Sequence, residues 1–572
     1  MGRQRILAIV TIAAMVATTG AWTRAEAAPA RAACTGPHLC VGAAKVAVSP
    51  DARTVAGLVE PRLVVGTRLQ RFHLGGFGIN PLQGTPDPDG SVSATLTKPA
   101  AIPVYSGTRG PERIWVRAMV MTEPGGDAVA LITLDAIGAG NVIQDRLTQK
   151  VAVATGIPQA NVLFGQTHTH AGPDLQGLWG GVPQSWIEST LYPAAVRATQ
   201  DALRASRPAR LDVRSGQIDD YNRYRRPRRL DTNVQPDRLA SVVQAKAVDG
   251  GQVLGTLLQY DAHPTSVDEP VRAPHPDYIL GALDWVERHE GGVALYFNGP
   301  IADASPAGSR AGCHPGRDGT YGEVRCRGEG LARAALALRP RHALAPTLEV
   351  RHETVLLPVT NPLFLGAGAG TAFNRYYDFL QLPVEEIPVL GPMVRDGLVE
   401  LPQLTPTATT AVSRITIGGA ASGLELVTIP GEATGTFGAW VRRLAQPGAH
   451  MVLLGLTHNS FGYILPEEEF SYIDESGGSG LLVPFTGYEE FVSLGPLTAP
   501  LLRANAYVPL FGADPAKALP PVLTACARSL NAAPCLVLVA RQRLVAAQGG
   551  LQAQCLEAGG PKELCDRLRV TR

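Results

Sequence analysis

From about residue 40 to residue 500 the chain repeats one pattern, in which an apolar run of strand length ends in polar residues and a Gly or Pro turn, with helical stretches between. Residues 128–135 (Ala-Val-Ala-Leu-Ile-Thr-Leu-Asp) predict a buried strand, 151–155 the end of a helix that stops at Gly156-Ile157-Pro158, and 161–168 the next strand. Residues 186–206 predict a helix ahead of Pro208, and 210–214 resume as a strand. Further strands are predicted at 253–260, 292–297, 424–429 and 451–455. Strands that are apolar throughout and alternate with helices predict an α/β fold of mixed β-sheets flanked by helices. Two stretches break the pattern. Residues 76–107, rich in Gly, Pro and Asp, predict a surface excursion or the wall of a site. Residues 360–410 resist assignment; their Gly366-Ala-Gly-Ala-Gly370 run has no leading strand and no Lys-Ser/Thr after it, so it is not a phosphate cradle.

The two ends differ from the body. Arg3 and Arg5, an apolar run over 6–21 and small residues over 25–30 have the order of an export signal, which predicts a signal peptide over 1–32 cleaved between Ala27 and Ala32. Thr11, Thr18 and Thr19 dilute the run below the strength of a spanning anchor, and an uncleaved anchor would also place the body outside the cytoplasm. The expected division is a catalytic domain over 33–515 and a Cys-rich extension over 516–572. Eight cysteines suit an oxidising compartment. Cys34 with Cys40, and Cys313 with Cys326, are expected to close small loops, while Cys526, Cys535, Cys555 and Cys565 are expected to staple a C-terminal helical hairpin of open connectivity. No Cys-x-x-Cys spacing supports a thiolate metal site. With 51 basic and 50 acidic residues, the net charge of +1 supplies no field to hold nucleic acid.

The sharpest local chemistry is Thr167-His168-Thr169-His170-Ala171-Gly172-Pro173 at the end of an apolar strand. In extended chain the two histidines share a face, and paired neutral imidazoles at a strand end suit a metal. Two hydrogen-bonded polar histidines without a metal are the alternative. The same arrangement recurs at His263, after 253–260, and three other apolar runs lead to Ser305, Glu432 and Tyr463. Five strands thus deliver His, His, Ser, Glu and Tyr to one rim. Two histidines and a carboxylate form a common catalytic zinc set with a position left for water.

Taken in order, these motifs resemble the neutral ceramidase family over roughly residues 40–500. The matching stretches are Gly42-Ala-Ala-Lys45-Val-Ala-Val-Ser-Pro50, Thr167-His-Thr-His-x-Gly-Pro173, Asn222-Arg223, His263-Pro-Thr-Ser266, Asp303-Ala-Ser305-Pro306, Pro430-Gly-Glu432 and Gly462-Tyr463. The resemblance implies one catalytic Zn2+ per chain, held by His168, His263, Glu432 and Tyr463, with His170 and Arg223 beside it and Tyr488 as a further active-site tyrosine. Ser305 matches a serine cast either as nucleophile or as positioning hydroxyl; zinc-activated water is the preferred attacking group, since no base is placed beside Ser305. The implied reaction is hydrolysis of the N-acyl amide of a ceramide-like lipid by an exported enzyme, with peripheral contact to a membrane surface and no obligate protein partner. A zinc amidase or esterase for another acylated small molecule, and a non-catalytic surface-binding protein on the same scaffold, are the alternatives.

The chain departs from the family pattern at several points. Ala302 stands for Gly, Ala307 for Asn and Tyr224 for Ser, and residues 466–485 lengthen the loop between the two tyrosines. The basic cluster from Arg223 to Arg229 suits either anionic lipid headgroups or a solvated loop. The residues after the last match do not alternate like a sandwich, so the family's C-terminal immunoglobulin-like domain is not expected.

Overall fold

A computed structural model describes residues 34–50, 72–76, 113–179, 181–225, 236–267, 274–307, 313, 320–341, 346–359, 361, 376–383, 404–418, 423–466, 469, 488–495 and 497–513. The expected signal peptide, the Cys-rich extension, most of the 76–107 and 466–485 loops and Arg226 to Arg229 lie outside these residues.

The first sheet is built from β1 (Leu39–Ala47), β2 (Trp115–Thr122), β3 (Ala128–Leu134), β4 (Val162–Gln166), β5 (Arg207–Gln217), β6 (Leu239–Ala247), β7 (Val253–Tyr260) and β8 (Val293–Asn298). Their order across the sheet is β8-β7-β6-β5-β1-β2-β3-β4, with Pro340–Arg341 paired on β5. The second sheet runs β9 (Leu348–Pro358), β10 (Leu404–Ile417), β11 (Leu424–Thr428) and β12 (His450–Leu454), with Leu380–Pro383 added on β10. Most neighbours are antiparallel, but β3 with β4, β7 with β8 and β11 with β12 are parallel. The sheets are therefore mixed, as the sequence predicts. The unassigned stretch 360–410 is resolved in part, because its end belongs to the 14-residue β10.

Both faces of β3 are covered, which is why its sequence is apolar without alternation. Ala128, Ala130, Ile132 and Leu134 face the helices α1 (Asn141–Thr155) and α2 (Tyr192–Arg204), where Leu147, Val151, Ala195 and Ala198 meet them. Val129 and Leu131 lie in a second cluster with Leu163, Leu257, Phe297, Ile415, Leu426 and Val452, which is the seam between the two sheets. At the other end of the first sheet, α3 (Tyr278–His289) and α4 (Thr320–Leu336) cover Val242, Leu258 and Tyr296. Behind the second sheet, Phe437 and Trp440 of α5 (Gly435–Arg442) pack with Leu453, Val427 and Tyr507. The result is four layers, helix on sheet on sheet on helix.

The sheets are stitched together at the carboxyl ends of their strands. Gln166 N–H donates to Leu456 O at 3.2 Å, His458 N–H to Phe164 O at 3.2 Å and Gly455 N–H to Asn298 O at 2.7 Å. Gly165 permits this approach, since a Cβ there would lie 2.7 Å from Thr457 Oγ1 and 2.8 Å from the Phe297 ring. Crevices outside the carboxyl ends of parallel strands are where open α/β sheets place their sites. Both expected disulfides within the described residues are formed, Cys34–Cys40 and Cys313–Cys326. No helix among the described residues is long and apolar enough to cross a membrane.

Candidate metal centre

The extended-chain picture of His168 and His170 needs one correction. β4 ends at Gln166, and His168 takes φ = +64°, a left-handed conformation uncommon for a residue with a side chain. The turn is fixed from both sides: Thr167 Oγ1 donates to Asp135 Oδ1 at 3.3 Å, Thr169 Oγ1 to His275 O at 2.6 Å, and His170 N–H to Pro264 O at 3.1 Å. The last bond joins this loop to the one carrying His263. Strand periodicity does not bring the rings together; these loop hydrogen bonds do.

Three imidazoles converge. Ring centroids lie 5.0 Å apart for His168 and His170, 4.9 Å for His168 and His263, and 5.6 Å for His170 and His263. One ring nitrogen from each lies within 4.8 Å of the others, and all three residues are buried. Nδ1 of His168 sits 2.5 Å from Ile137 O, and Nδ1 of His263 sits 2.6 Å from Ile301 O and 3.2 Å from Ala304 O. A carbonyl oxygen only accepts, so Nδ1 carries the proton in both rings and Nε2 carries a lone pair. Both lone pairs face one atom, Glu432 Oε2, at 3.1 Å from His168 and 3.0 Å from His263.

Three acceptors in contact, buried from water, require a cation among them. A proton on His263 or His170 does not meet that need at neutral pH. Burial, reinforced by the Arg225 charge, pushes the His263 imidazolium down to about 3, and burial with the neighbouring His168 and His263 holds His170 well below the ordinary range. Neutral imidazoles around a carboxylate fit a divalent metal, zinc foremost among those that take nitrogen and oxygen donors.

Glu432 and Tyr463 arrive together. They are register partners in a short parallel ladder of Glu432–Ala433 with Tyr463–Ile464, in the segments that follow β11 and β12. The glycine before each one makes the approach possible: a Cβ on Gly431 would lie 2.6 Å from Gly462 O, and one on Gly462, at φ = +76°, would lie 2.1 Å from Val492 O. The Tyr463 ring stacks at 6.3 Å on His263. The cavity at this point is lined by His168, His170, Glu432 and Tyr463, and by Leu178, Trp179 and Val492 as apolar wall.

The remaining expected residues are placed as follows. Ser305 lies in the strand Ala304–Pro306, opposite Arg223 of Asn222–Tyr224, and does not line the cavity. Arg223 is exposed, and the arginine at the site is Arg225. Arg225 donates from Nη2 to the Tyr463 hydroxyl at 2.6 Å and from Nε to Ala302 O at 2.8 Å, and lies 3.5 Å from Glu489. Asn222 is the anchor of that segment, its amide donating to the carbonyls of Asp237 and Asp261, both at 2.5 Å. Tyr488 opens the short helix Tyr488–Phe491, and its side chain lies outside the described residues. Asp303, within the serine motif, accepts from Gly435 N–H at 3.0 Å at the start of α5.

Sequence reasoning missed Arg225, Asp174, Gln176 and Ser460. Asp174, directly after the Gly172-Pro173 of the histidine motif, accepts four backbone N–H groups: Gln176 at 3.0 Å and Gly177, Trp179 and Gly181 at 2.8 Å each. One buried carboxylate thereby shapes the loop that forms a wall of the cavity. A lone Asp among Gly, Leu and Trp, which only backbone donors could satisfy, was the available signal.

No protein-family model and no curated protein sequence matches the chain. Its structure is similar to that of neutral ceramidase from Pseudomonas aeruginosa, with a TM-score of 0.55 and 18% identity over 83% of this chain and 75% of that one. It is also similar to a ceramidase complexed with C2, with a TM-score of 0.54 and 17% identity over 83% of this chain and 74% of that one. The fold of this chain is that of the neutral ceramidases.

Proposed function

We propose that the chain is an exported zinc-dependent amidase that cleaves the N-acyl amide of ceramide-like lipids to a fatty acid and a sphingoid base. The observation that carries the reading is the pair of Nε2 lone pairs, from His168 and His263, aimed at one oxygen of Glu432 inside a ceramidase fold. His168, His263, Glu432 and Tyr463 would hold one zinc, with His170 close enough to join them or to hydrogen-bond the reacting group. A zinc bound there supplies a water of lowered pKa, near 7, and a Lewis acid for the amide carbonyl.

The protein's own part is orientation and exclusion of water. The Ile137 and Ile301 carbonyls fix the tautomers of His168 and His263, as outer partners of ligating histidines do. Arg225 donates to the Tyr463 hydroxyl, which fixes that oxygen at the site and places a cation beside a carbonyl on which negative charge develops. Leu178, Trp179 and Val492 give the acyl group an apolar wall. Peripheral contact with a lipid surface, and export through residues 1–32, belong to the same proposal. So does a positioning part for Ser305 and Tyr488.

The test is zinc content by elemental analysis together with fatty-acid release from a fluorescent ceramide, on the wild type and on His263→Ala. About one zinc per chain, lost with activity in the variant, is the expected result. Zinc without ceramide turnover moves the substrate to simpler N-acyl amines or esters. No zinc after reconstitution overturns the mechanism.

A further inference from the structure

Gln176 is 5% exposed and lines the same cavity as His168, His170, Glu432 and Tyr463. Its amide orientation is determined by its partners. Nε2 lies 2.9 Å from the backbone carbonyl of Ser460, which can only accept, so the NH2 end is the one on that side. The second N–H of the amide goes to the Tyr377 hydroxyl at 3.2 Å, and that hydroxyl in turn donates to Ser460 O at 2.5 Å. Both donors of the amide are thus used. The carbonyl oxygen Oε1 has no donor paired with it among the described residues, yet it is not a fully buried atom, so its lone pairs open onto the cavity.

The group is also held still. The Gln176 backbone N–H is fixed on Asp174 Oδ1 at 3.0 Å, and Gly138 lies flat against the amide: a Cβ there would sit 2.8 Å from Gln176 Cδ and 2.8 Å from Nε2. A side chain at position 138 would displace the amide. An acceptor that is preorganised and has no donor among the described residues is left to water until a ligand supplies an N–H or O–H, and a ligand that displaces that water without bringing a donor loses the hydrogen bond.

We infer that Gln176 is a specificity-determining residue: its Oε1 accepts a hydrogen bond from the substrate, so the site selects acyl compounds carrying a donor beside the scissile carbonyl, secondary amides over esters or N-alkylated amides. The inference rests on the amidase reading and names the feature of the substrate that the cavity reads.

The experiment compares hydrolysis of an N-acyl secondary amide with its N-methyl counterpart, which lacks the donor, in the wild type and in Gln176→Leu, with zinc content measured on both proteins. The expected result is a wild-type preference for the secondary amide that falls by about tenfold in kcat/KM ratio in Gln176→Leu at unchanged zinc. General damage to the site lowers both substrates alike and leaves the ratio where it was. A wild type without preference, or a preference that survives Gln176→Leu, overturns the assignment while leaving the amidase reading intact. If the wild type hydrolyses neither compound, the amidase reading fails, and calorimetric binding of the same two compounds decides: tighter binding of the secondary amide that is lost in Gln176→Leu supports the acceptor role, and its absence overturns it.

Discussion

Glu432 and Tyr463 sit opposite one another on a two-residue parallel ladder, so the carboxylate and the phenol at the histidine cluster are positioned by one backbone pairing. Their strands, β11 and β12, are themselves parallel neighbours, from Leu424 opposite His450 to Thr428 opposite Leu454. Any shift of one strand against the other would move both oxygens relative to His168 and His263.

The charge on Glu432 is what makes its contact with two lone pairs a candidate metal site. Glu432→Gln keeps the shape and replaces one acceptor by an amide N–H that can satisfy a histidine directly. Zinc affinity should fall by at least about a hundredfold, and the stabilisation that a tightly bound metal gives, about 3 kcal/mol at a hundredfold excess over Kd, should vanish. Melting with and without chelator checks this: the wild type should lose several degrees on chelation and the variant almost none. A variant that still binds zinc and still responds to chelator contradicts the ligand assignment.

Ser305 is a test of mechanism. Among the described residues no imidazole or carboxylate is hydrogen-bonded to its hydroxyl, and its neighbour Ala304 holds His263 through the backbone, accepting from the His263 N–H at 2.9 Å. Ser305→Ala should therefore keep its zinc and lose less than about tenfold in kcat, whereas removal of a true nucleophile costs about a thousandfold or more. A thousandfold loss at unchanged zinc content would make Ser305 the attacking group.

What the sequence disclosed, it disclosed through burial on both faces and through chain ends. β3 and β7 are covered on each side, so their runs are apolar throughout, and the loops past the strands of the parallel pairs are where the candidate ligands lie. Gly431 and Gly462 were visible as motif letters, and their reason is the 2.6 Å and 2.1 Å approaches that a side chain would block. β10, rich in Thr and Ala, does not read as a core strand, because Thr410 and Ser413 are buried on it as hydrogen-bonding groups; Ser413 N–H donates to Thr428 Oγ1 at 2.7 Å. Arg225 and Gln176 could not be read at all. Their partners, Tyr463 and Ser460, lie 238 and 284 positions away, and nothing local distinguishes these two from any other arginine and glutamine in a loop.

The exchange of Arg223 for Arg225 at the site gives a paired prediction. Arg225→Ala removes the donor to the Tyr463 hydroxyl and the guanidinium stacked 5.5 Å over that ring, and should lower kcat by tenfold or more, as removal of a charge-stabilising donor does. Arg223→Ala alters an exposed side chain opposite Ser305 and should leave kcat within about twofold. Steady-state kinetics on the two variants separates the positions, and equal losses would return Arg223 to the site.

Asp135 supplies a pH dependence whose sign can be fixed. It follows β3, is 2% exposed, and accepts from Trp115 N–H at 2.8 Å and from the hydroxyl of Thr167, the residue before His168. Burial outweighs the nearby Arg117 charge and raises its pKa from 3.8 to about 6. An acid raised on folding favours the folded state most when protonated in both states, so its contribution is full below pH 3.8 and is lost as the pH rises through about 6. The loss is about 3 kcal/mol. Asp135→Asn carries no charge, keeps an acceptor for Trp115 and turns an N–H toward the Thr167 oxygen. The variant should melt close to the wild type at pH 4 and a few degrees above it at pH 7, with the gap opening between about pH 4 and 6. A gap that is flat with pH, or widest in acid, would mean that Asp135 is ionised in the folded protein at all these values and that its charge supports the turn into His168.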